Sequence, residues 1–222
     1  IPSDIGESWF SGISDHLEKS EFTLLSCSRL FWKRPDSYTD EDWEYENKNN
    51  DWLLHALSQL ISVRPSANPL LLIVEYGPDI EATKKLADLL GIKERIRWIP
   101  QMPRKNLRWL LTQTDIAVGE FYNGPKMLWG GTGWEALAAG KPLLQGFNFN
   151  DREFQEEYSI PPPPILGVRN KKDVFLQLLN MYDKPIERKS IGFSTRNWFE
   201  NYNGMNLARQ WLEFLYESDK TT

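Results

Sequence analysis

From Phe22 onward the sequence alternates two kinds of pattern. Short, uninterrupted apolar runs predict strands buried on both faces, because a strand with one wet face would alternate polar and apolar residues. Such runs are EFTLLSC (21–27), NPLLLIVEYG (68–77), RIRWIP (95–100), DIAVGE (115–120), KPLLQGF (141–147) and a last short one at 165–168. Between them, apolar residues recur at helical spacing in DWLLHALSQLISV (51–63), DIEATKKLADLLG (79–91), RKNLRWLLTQ (104–113), GWEALAAG (133–140) and KKDVFLQLLNMYD (171–183), with two more helices at 187–203 and 204–218. Asp51 opens the first helix and Pro65 stops it, while Gly91 suits the left-handed residue that ends the second. The polar stretch DSYTDEDWEYENKNN (36–50) reads as a solvated loop or insertion, and EEYSIPPPPILGV (156–168) as a proline-stiffened loop leading into the last strand.

Strands alternating with helices imply βαβ units with right-handed crossovers. The expected fold is α/β: a Rossmann-like, doubly wound parallel sheet with helices on both faces and C-terminal helices after it. Residues 1–20 form a lead-in segment and 21–222 the domain. Ligands of such sheets bind beyond the carboxyl ends of the strands, so the loops after Cys27, Tyr76, Pro100, Gly119 and Phe147 are the places to find a site.

Composition narrows the picture. The chain has 222 residues, 41% hydrophobic and 26% charged, with a formal charge of −5. That balance offers no basic field for nucleic acid or an anionic membrane. One cysteine, Cys27, cannot form an internal disulfide. No apolar run approaches the roughly 20 residues that span a bilayer, and the opening IPSDIGESWF lacks the features of a signal peptide. A start without Met suggests a processed or excised piece. Most of the ten tryptophans, Trp129 and Trp134 among them, are expected to pack rather than to bind.

Three groups of residues carry candidate chemistry. The first is Gly130, Gly131, Thr132 and Gly133, directly ahead of WEALAAG. Free N–H groups and the dipole at a helix start favour an anion, and glycine lets a ligand reach the backbone. A tight turn for close packing explains the same spacing equally well. The second group is cationic: Arg29 after the first strand, Lys33 and Arg34 nearby, and Lys48 just before the next helix. Two such cations together could stabilise a diphosphate leaving group without metal, although any one of them alone reads as solvent-facing. The third is Glu135, which either complements the helix dipole or accepts hydrogen bonds from both hydroxyls of a ribose. His16 and His55 stand alone, and no cluster has metal-ligand spacing, so metal chemistry is not expected.

Taken in order, these pieces resemble the C-terminal, donor-binding domain of the group 1 retaining glycosyltransferases of GT-B fold. SRLFWKR matches a strand ending in G-R-L, with Ser28 for Gly. KNNDWLLHAL matches K-G-x-D-x-L-x-x-A, with Asn49 for Gly and the polar insertion lying between the two motifs. LLLIVEYG is similar to the next strand, which ends in Gly, and EALAAGKPLL to E-A-M-A-x-G-x-P-V-V. The resemblance covers nearly the whole chain. It implies one half of a GT-B fold with the N-terminal acceptor domain absent. It implies a nucleotide-sugar donor, a UDP- or GDP-sugar, with no further cofactor and no metal, and metal-independent retaining transfer to a carbohydrate or lipid-linked acceptor. Carried over residue by residue, Arg29 and Lys48 would hold the diphosphate and Glu135 the ribose. Amides at Gly130, Gly131, Thr132 and Gly133 would meet phosphate, and the backbone near Gln101 and Met102 the base.

One position departs from the pattern. Met127 stands where the family has a sugar-facing Glu, and Glu120, in GEFYNG, is the residue that could take over as a catalytic or sugar-contacting group. The departure keeps two other readings open: a nucleotide-binding module without catalysis, and an epimerase or phosphorylase of the same architecture. An interaction domain without ligand is a further one. The resemblance implies a cytoplasmic setting, with any contact to the membrane face made through the missing half.

Overall fold

The computed structural model describes residues 7–122 and 129–218. In chain order they form α1 (Glu7–Lys19), β1 (Phe22–Ser26), α2 (Asp40–Glu46), α3 (Asp51–Val63), β2 (Pro69–Val74), α4 (Ile80–Leu89), β3 (Ile96–Ile99), α5 (Arg104–Gln113), β4 (Ile116–Val118), α6 (Gly131–Ala138), β5 (Leu143–Gly146), α7 (Asp151–Tyr158), β6 (Leu166–Val168), α8 (Lys171–Asp183), α9 (Pro185–Tyr202) and α10 (Met205–Ser218). All strand pairs are parallel, in the order β3-β2-β1-β4-β5-β6. This is the doubly wound arrangement expected from the sequence, with its switch point between β1 and β4.

The continuous apolar runs are explained by two cores, one on each face of the sheet. Leu24, Leu71 and Ile73 point to the side of Leu53, Leu57, Leu60 and Leu178. Their chain neighbours Leu25, Leu70 and Leu72 point to the side of Leu110, Leu137 and Trp198. Each fully buried leucine contributes on the order of 1.5–3 kcal/mol, and the strands admit only a few buried polar residues, Thr23, Ser26 and Gln145 among them. At the amino edge, buried Arg188 of α9 pairs with Asp115 at 2.9 Å, and the other oxygen of that carboxylate accepts the Thr23 amide of β1 at 2.8 Å. That contact ties the helical tail to the central strand. Along α10, positions 208–216 are exposed.

One expectation is corrected, and two helices appear that the sequence patterns had not placed. The stretch 36–50 is not a plain solvated loop, because it contains α2. Thr39 and Asp42 form a reciprocal capping box there, which satisfies the first free amides of the helix. Trp43 packs edge-on against Phe31, with ring centroids 5.2 Å apart. A second unexpected helix, α7, begins with the same device between Asn150 and Glu153 and buries Phe154. Polar composition hid both helices, whose cap residues were visible. The lead-in segment 1–20 also carries structure, since α1 packs Ile13 into one of the two cores.

Candidate functional site

The site region is assembled by loops that cross at the carboxyl edge of the sheet. After β1 the chain passes under the β2–α4 loop, where Leu30 donates its amide to the Tyr76 carbonyl at 2.7 Å and accepts from the Asp79 amide at 3.1 Å. Gly77 makes that crossing possible: its φ is +118°, and a Cβ there would lie 2.4 Å from the Leu30 carbonyl oxygen. Arg29 is exposed, with its guanidinium 4.8 Å from the centre of the Phe31 ring. The Lys48 amide donates to the Phe31 carbonyl at 2.8 Å. The Arg29 side chain and the Lys48 backbone thus both touch Phe31.

The loop after β4 is stitched to the same place. The Phe121 amide donates to the Lys48 carbonyl at 3.2 Å, and Asn49 Nδ2 donates to the Phe121 carbonyl at 2.7 Å. Asn49 has φ +46°, the left-handed conformation for which glycine is the commonest choice and asparagine the next. Its presence where the resembled pattern has Gly is thus conformationally sound. Asn49→Ala is expected to cost about 2 kcal/mol, from backbone strain and the lost hydrogen bond, and Asn49→Gly about half of that. Urea denaturation of the two variants measures both costs, and equal stability would remove the conformational argument.

These contacts bring Lys48 Nζ to 2.9 Å from Glu120 Oε2, with the side chains 16% and 29% exposed. Glu120 is itself held from the other side. Its amide donates to Gln145 Oε1 at 3.1 Å, its carbonyl accepts from the Gly146 amide at 2.8 Å, and Gly119 leaves the room that Gln145 fills.

The glycine stretch resolves into two uses. A Cβ on Gly133 would sit 2.5 Å from the Trp129 side chain, so this glycine serves packing. Around Gly130 and Gly131 nothing lies within 4 Å of such an atom, and both are exposed. Among the described residues nothing seals the start of α6. Trp129 is buried and stacks with Phe154, while Trp134 stacks with Trp198, which agrees with their expected packing role.

Beside the α6 start lies a cleft of about 170 Å³ lined by Cys27, Val74, Tyr76, Gln101, Met102, Leu107 and Thr132. It unites the ends of β1, β2 and β3 with the first turn of α6, and it contains three residues named from sequence: Gln101, Met102 and Thr132. Glu135, one turn further along α6, is 3.3 Å from Arg104 Nε and borders a groove of about 580 Å³ between α5 and α6. The Cys27 thiol is pushed up to about 12, chiefly by burial and secondarily by the Glu135 charge. A thiol so raised stays protonated at pH 8. Native chain should therefore react with iodoacetamide at least a hundredfold more slowly than urea-unfolded chain, and mass spectrometry of timed samples checks this.

The structure thus brings Lys48 to Glu120, keeps Arg29 on the Phe31 ring, sets Gln101, Met102 and Thr132 around the cleft, leaves Gly130 and Gly131 exposed at the helix start, and turns Glu135 to the groove between α5 and α6. Gly133 belongs to the packing beneath. Met127 and Gly124 lie outside the described residues. Arg104, Tyr122 and Gln145 were not singled out in sequence. No local pattern marks them, since each acquires its place through a partner far along the chain. Among the described residues no group of three or more His, Cys, Asp or Glu could hold a metal ion, and no helix is long and apolar enough to cross a membrane.

No protein-family model matches the sequence, and no curated protein matches it. Solved structures do match in fold. A glycosyltransferase from Rickettsia africae ESF-5 aligns over 97% of this chain and 53% of its own, with 18% identity and a TM-score of 0.64. The pneumococcal O-GlcNAc transferase GtfA, solved with UDP and GlcNAc, aligns over 89% of this chain and 36% of its own at 14% identity, TM-score 0.61. The C-terminal domain of a group 1 family glycosyl transferase (LpcC) from Francisella tularensis aligns over 82% and 86% at 12% identity, TM-score 0.57. The chain has the fold of one Rossmann-like half of the GT-B group 1 glycosyltransferases. It spans roughly a third to a half of the length of the larger proteins it resembles.

Proposed function

We propose that the chain is the donor-binding half of a glycosyltransferase and takes a nucleoside-diphosphate sugar along the carboxyl edge of its sheet. The observation that carries this reading is that an open helix start, a lined cleft and the Lys48–Glu120 pair all lie at the carboxyl edge of one sheet. The base would enter the cleft between Tyr76 and Met102, near the Gln101 backbone. Glu135 would exchange Arg104 for the two ribose hydroxyls. The exposed amides at Gly130 and Gly131 would receive phosphate, with Arg29 and Lys48 offsetting the charge that grows on the departing diphosphate. Glu120, displaced from Lys48 by the phosphates, would face the sugar. Charge stabilisation of this kind requires no metal, and we assign the chemistry to metal-independent, retaining transfer onto an acceptor hydroxyl. GtfA, which shares the fold, was solved with UDP and GlcNAc, which supports this ligand class.

The remaining half of the enzyme would supply most acceptor contacts, so these residues alone should bind donor but transfer poorly. Thermal unfolding in the presence of UDP, GDP or ADP tests the first point. At a hundredfold excess over Kd, mass action stabilises the domain by about 2.7 kcal/mol. No rise with any of the three nucleotides would remove the reading.

A further inference from the structure

The loop after β4 is fastened on both sides of the switch point. Toward β1, the Phe121 backbone is held by Lys48 and Asn49, and the Trp52 ring of α3 stacks on the Phe121 ring, with centroids 6.2 Å apart and planes 11° from parallel. Toward β5, two consecutive residues bracket Glu120. Gln145 Oε1 accepts its amide at 3.1 Å, and the Gly146 amide donates to its carbonyl at 2.8 Å. The second contact is made by backbone alone. The first depends on one side chain.

That side chain stands where an apolar one would be expected. Val118 of β4 is in register with Leu144 of β5, so Gly119 and Gln145 are the next pair. By alternation both turn to the face of Ala117 and Leu143, which belong to the core around Leu137. Gln145 is nevertheless only 4% exposed, and a buried amide is costly unless its polar atoms are answered. Gly119 is what admits it. A Cβ at that position would lie 1.7 Å from Gln145 Oε1 and 2.9 Å from its Cδ. The φ of Gly119 is not positive, so space, not backbone conformation, calls for glycine here. A polar group and the gap that receives it therefore occur together, and their product is a hydrogen bond to Glu120.

We propose that Gln145 is a positioning residue of the candidate site. By accepting the Glu120 amide across the gap at Gly119, it fixes the direction in which the Glu120 side chain leaves the backbone and so holds the carboxylate 2.9 Å from Lys48 Nζ. The use of that pair in transfer rests on the donor reading above, while the positioning itself does not. The rival role is plain filling of the core. An apolar side chain of the same length would fill the space without bringing an amide to be satisfied, so packing alone gives no reason for glutamine.

Amide hydrogen exchange and double-mutant cycles on the full 222-residue chain separate the two roles. Gln145→Met keeps length and bulk but removes the acceptor. Gly119→Ala leaves Gln145 chemically intact and drives its head group away from Glu120, a small move for the end of a flexible side chain. In both variants the Glu120 amide is expected to exchange about tenfold faster. The Ala117 amide, which donates to the Pro142 carbonyl at 3.0 Å between the same two strands, should stay within threefold. Gln145→Glu retains an acceptor oxygen and should keep the slow exchange. In urea unfolding, Lys48→Met and Glu120→Gln should be coupled by about three- to fivefold in the folding constant, and that coupling should fall below twofold in either variant background. A residue that only packs would lower stability and leave the coupling intact. Should Gln145→Met not fold, Gly119→Ala decides alone. UDP titration of the unaltered chain keeps the two readings apart. If UDP binds but the coupling survives at full strength in the variants, the positioning role falls and the donor reading stands. If the coupling collapses while no nucleotide binds, Gln145 keeps its role in fixing the pair and the donor reading falls.

Discussion

Gly77→Ala should lower the thermal midpoint of the chain by roughly 6–12 °C, the equivalent of about 3 kcal/mol in a domain of this size. Two costs combine. At φ +118° an L-residue is strained by on the order of 1–3 kcal/mol, and its Cβ would lie 2.4 Å from the Leu30 carbonyl oxygen and 2.6 Å from the Leu30 nitrogen. Those are backbone atoms that cannot rotate away. They also make the hydrogen bonds to Tyr76 and Asp79, so relief by movement breaks the crossing of the two loops. Gly91 is the natural control. It too has a positive φ, +68°, but nothing lies within 4 Å of an added Cβ. Gly91→Ala should therefore cost only about 1 kcal/mol, and equal effects of the two changes in a calorimetric scan would show that strain alone, not the crossing, matters at Gly77.

Lys48→Met is expected to weaken UDP binding ten- to a hundredfold while the chain remains folded. A charge-assisted hydrogen bond to phosphate is worth about 1.5–3 kcal/mol, and each 1.4 kcal/mol is a factor of ten. The loss has a second source, since removing Lys48 leaves the Glu120 carboxylate, 29% exposed, facing the incoming phosphates without compensation. Glu120→Gln tests that part separately. It frees Lys48 from its 2.9 Å partner and removes a like charge, so UDP should bind a few-fold more tightly even as any transfer activity falls. Isothermal titration of the two single variants and the double variant separates the contributions. UDP binding unchanged in Lys48→Met would detach this residue from the site.

Much of this was readable from the chain. Adjacent leucines such as Leu24 and Leu25 face opposite cores, so their uninterrupted run announced a doubly covered strand. Asn49 was readable as a substitute for glycine because few other side chains accept a positive φ. What stayed hidden depended on partners remote in sequence. Lys48 and Glu120 meet across 72 positions, and nothing near either one foretells it. The uses of Gly131 and Gly133 differ only because the Trp129 ring presses on the second. The helix α2 was obscured for another reason: its acidic composition suggests solvent, and the capping box and aromatic contacts that order it weigh little in a pattern of polar and apolar letters.

The strand order has a bearing on biosynthesis. β1 precedes the other five strands of this sheet in the chain but sits in its interior, between β2 and β4. A growing polypeptide must therefore hold Leu24 and Leu25 with one hydrogen-bonding edge vacant until Ile116–Val118 has emerged. Unprotected edges of this kind recruit other chains, which makes the interval between those two strands the point at which a chaperone would have most to shield.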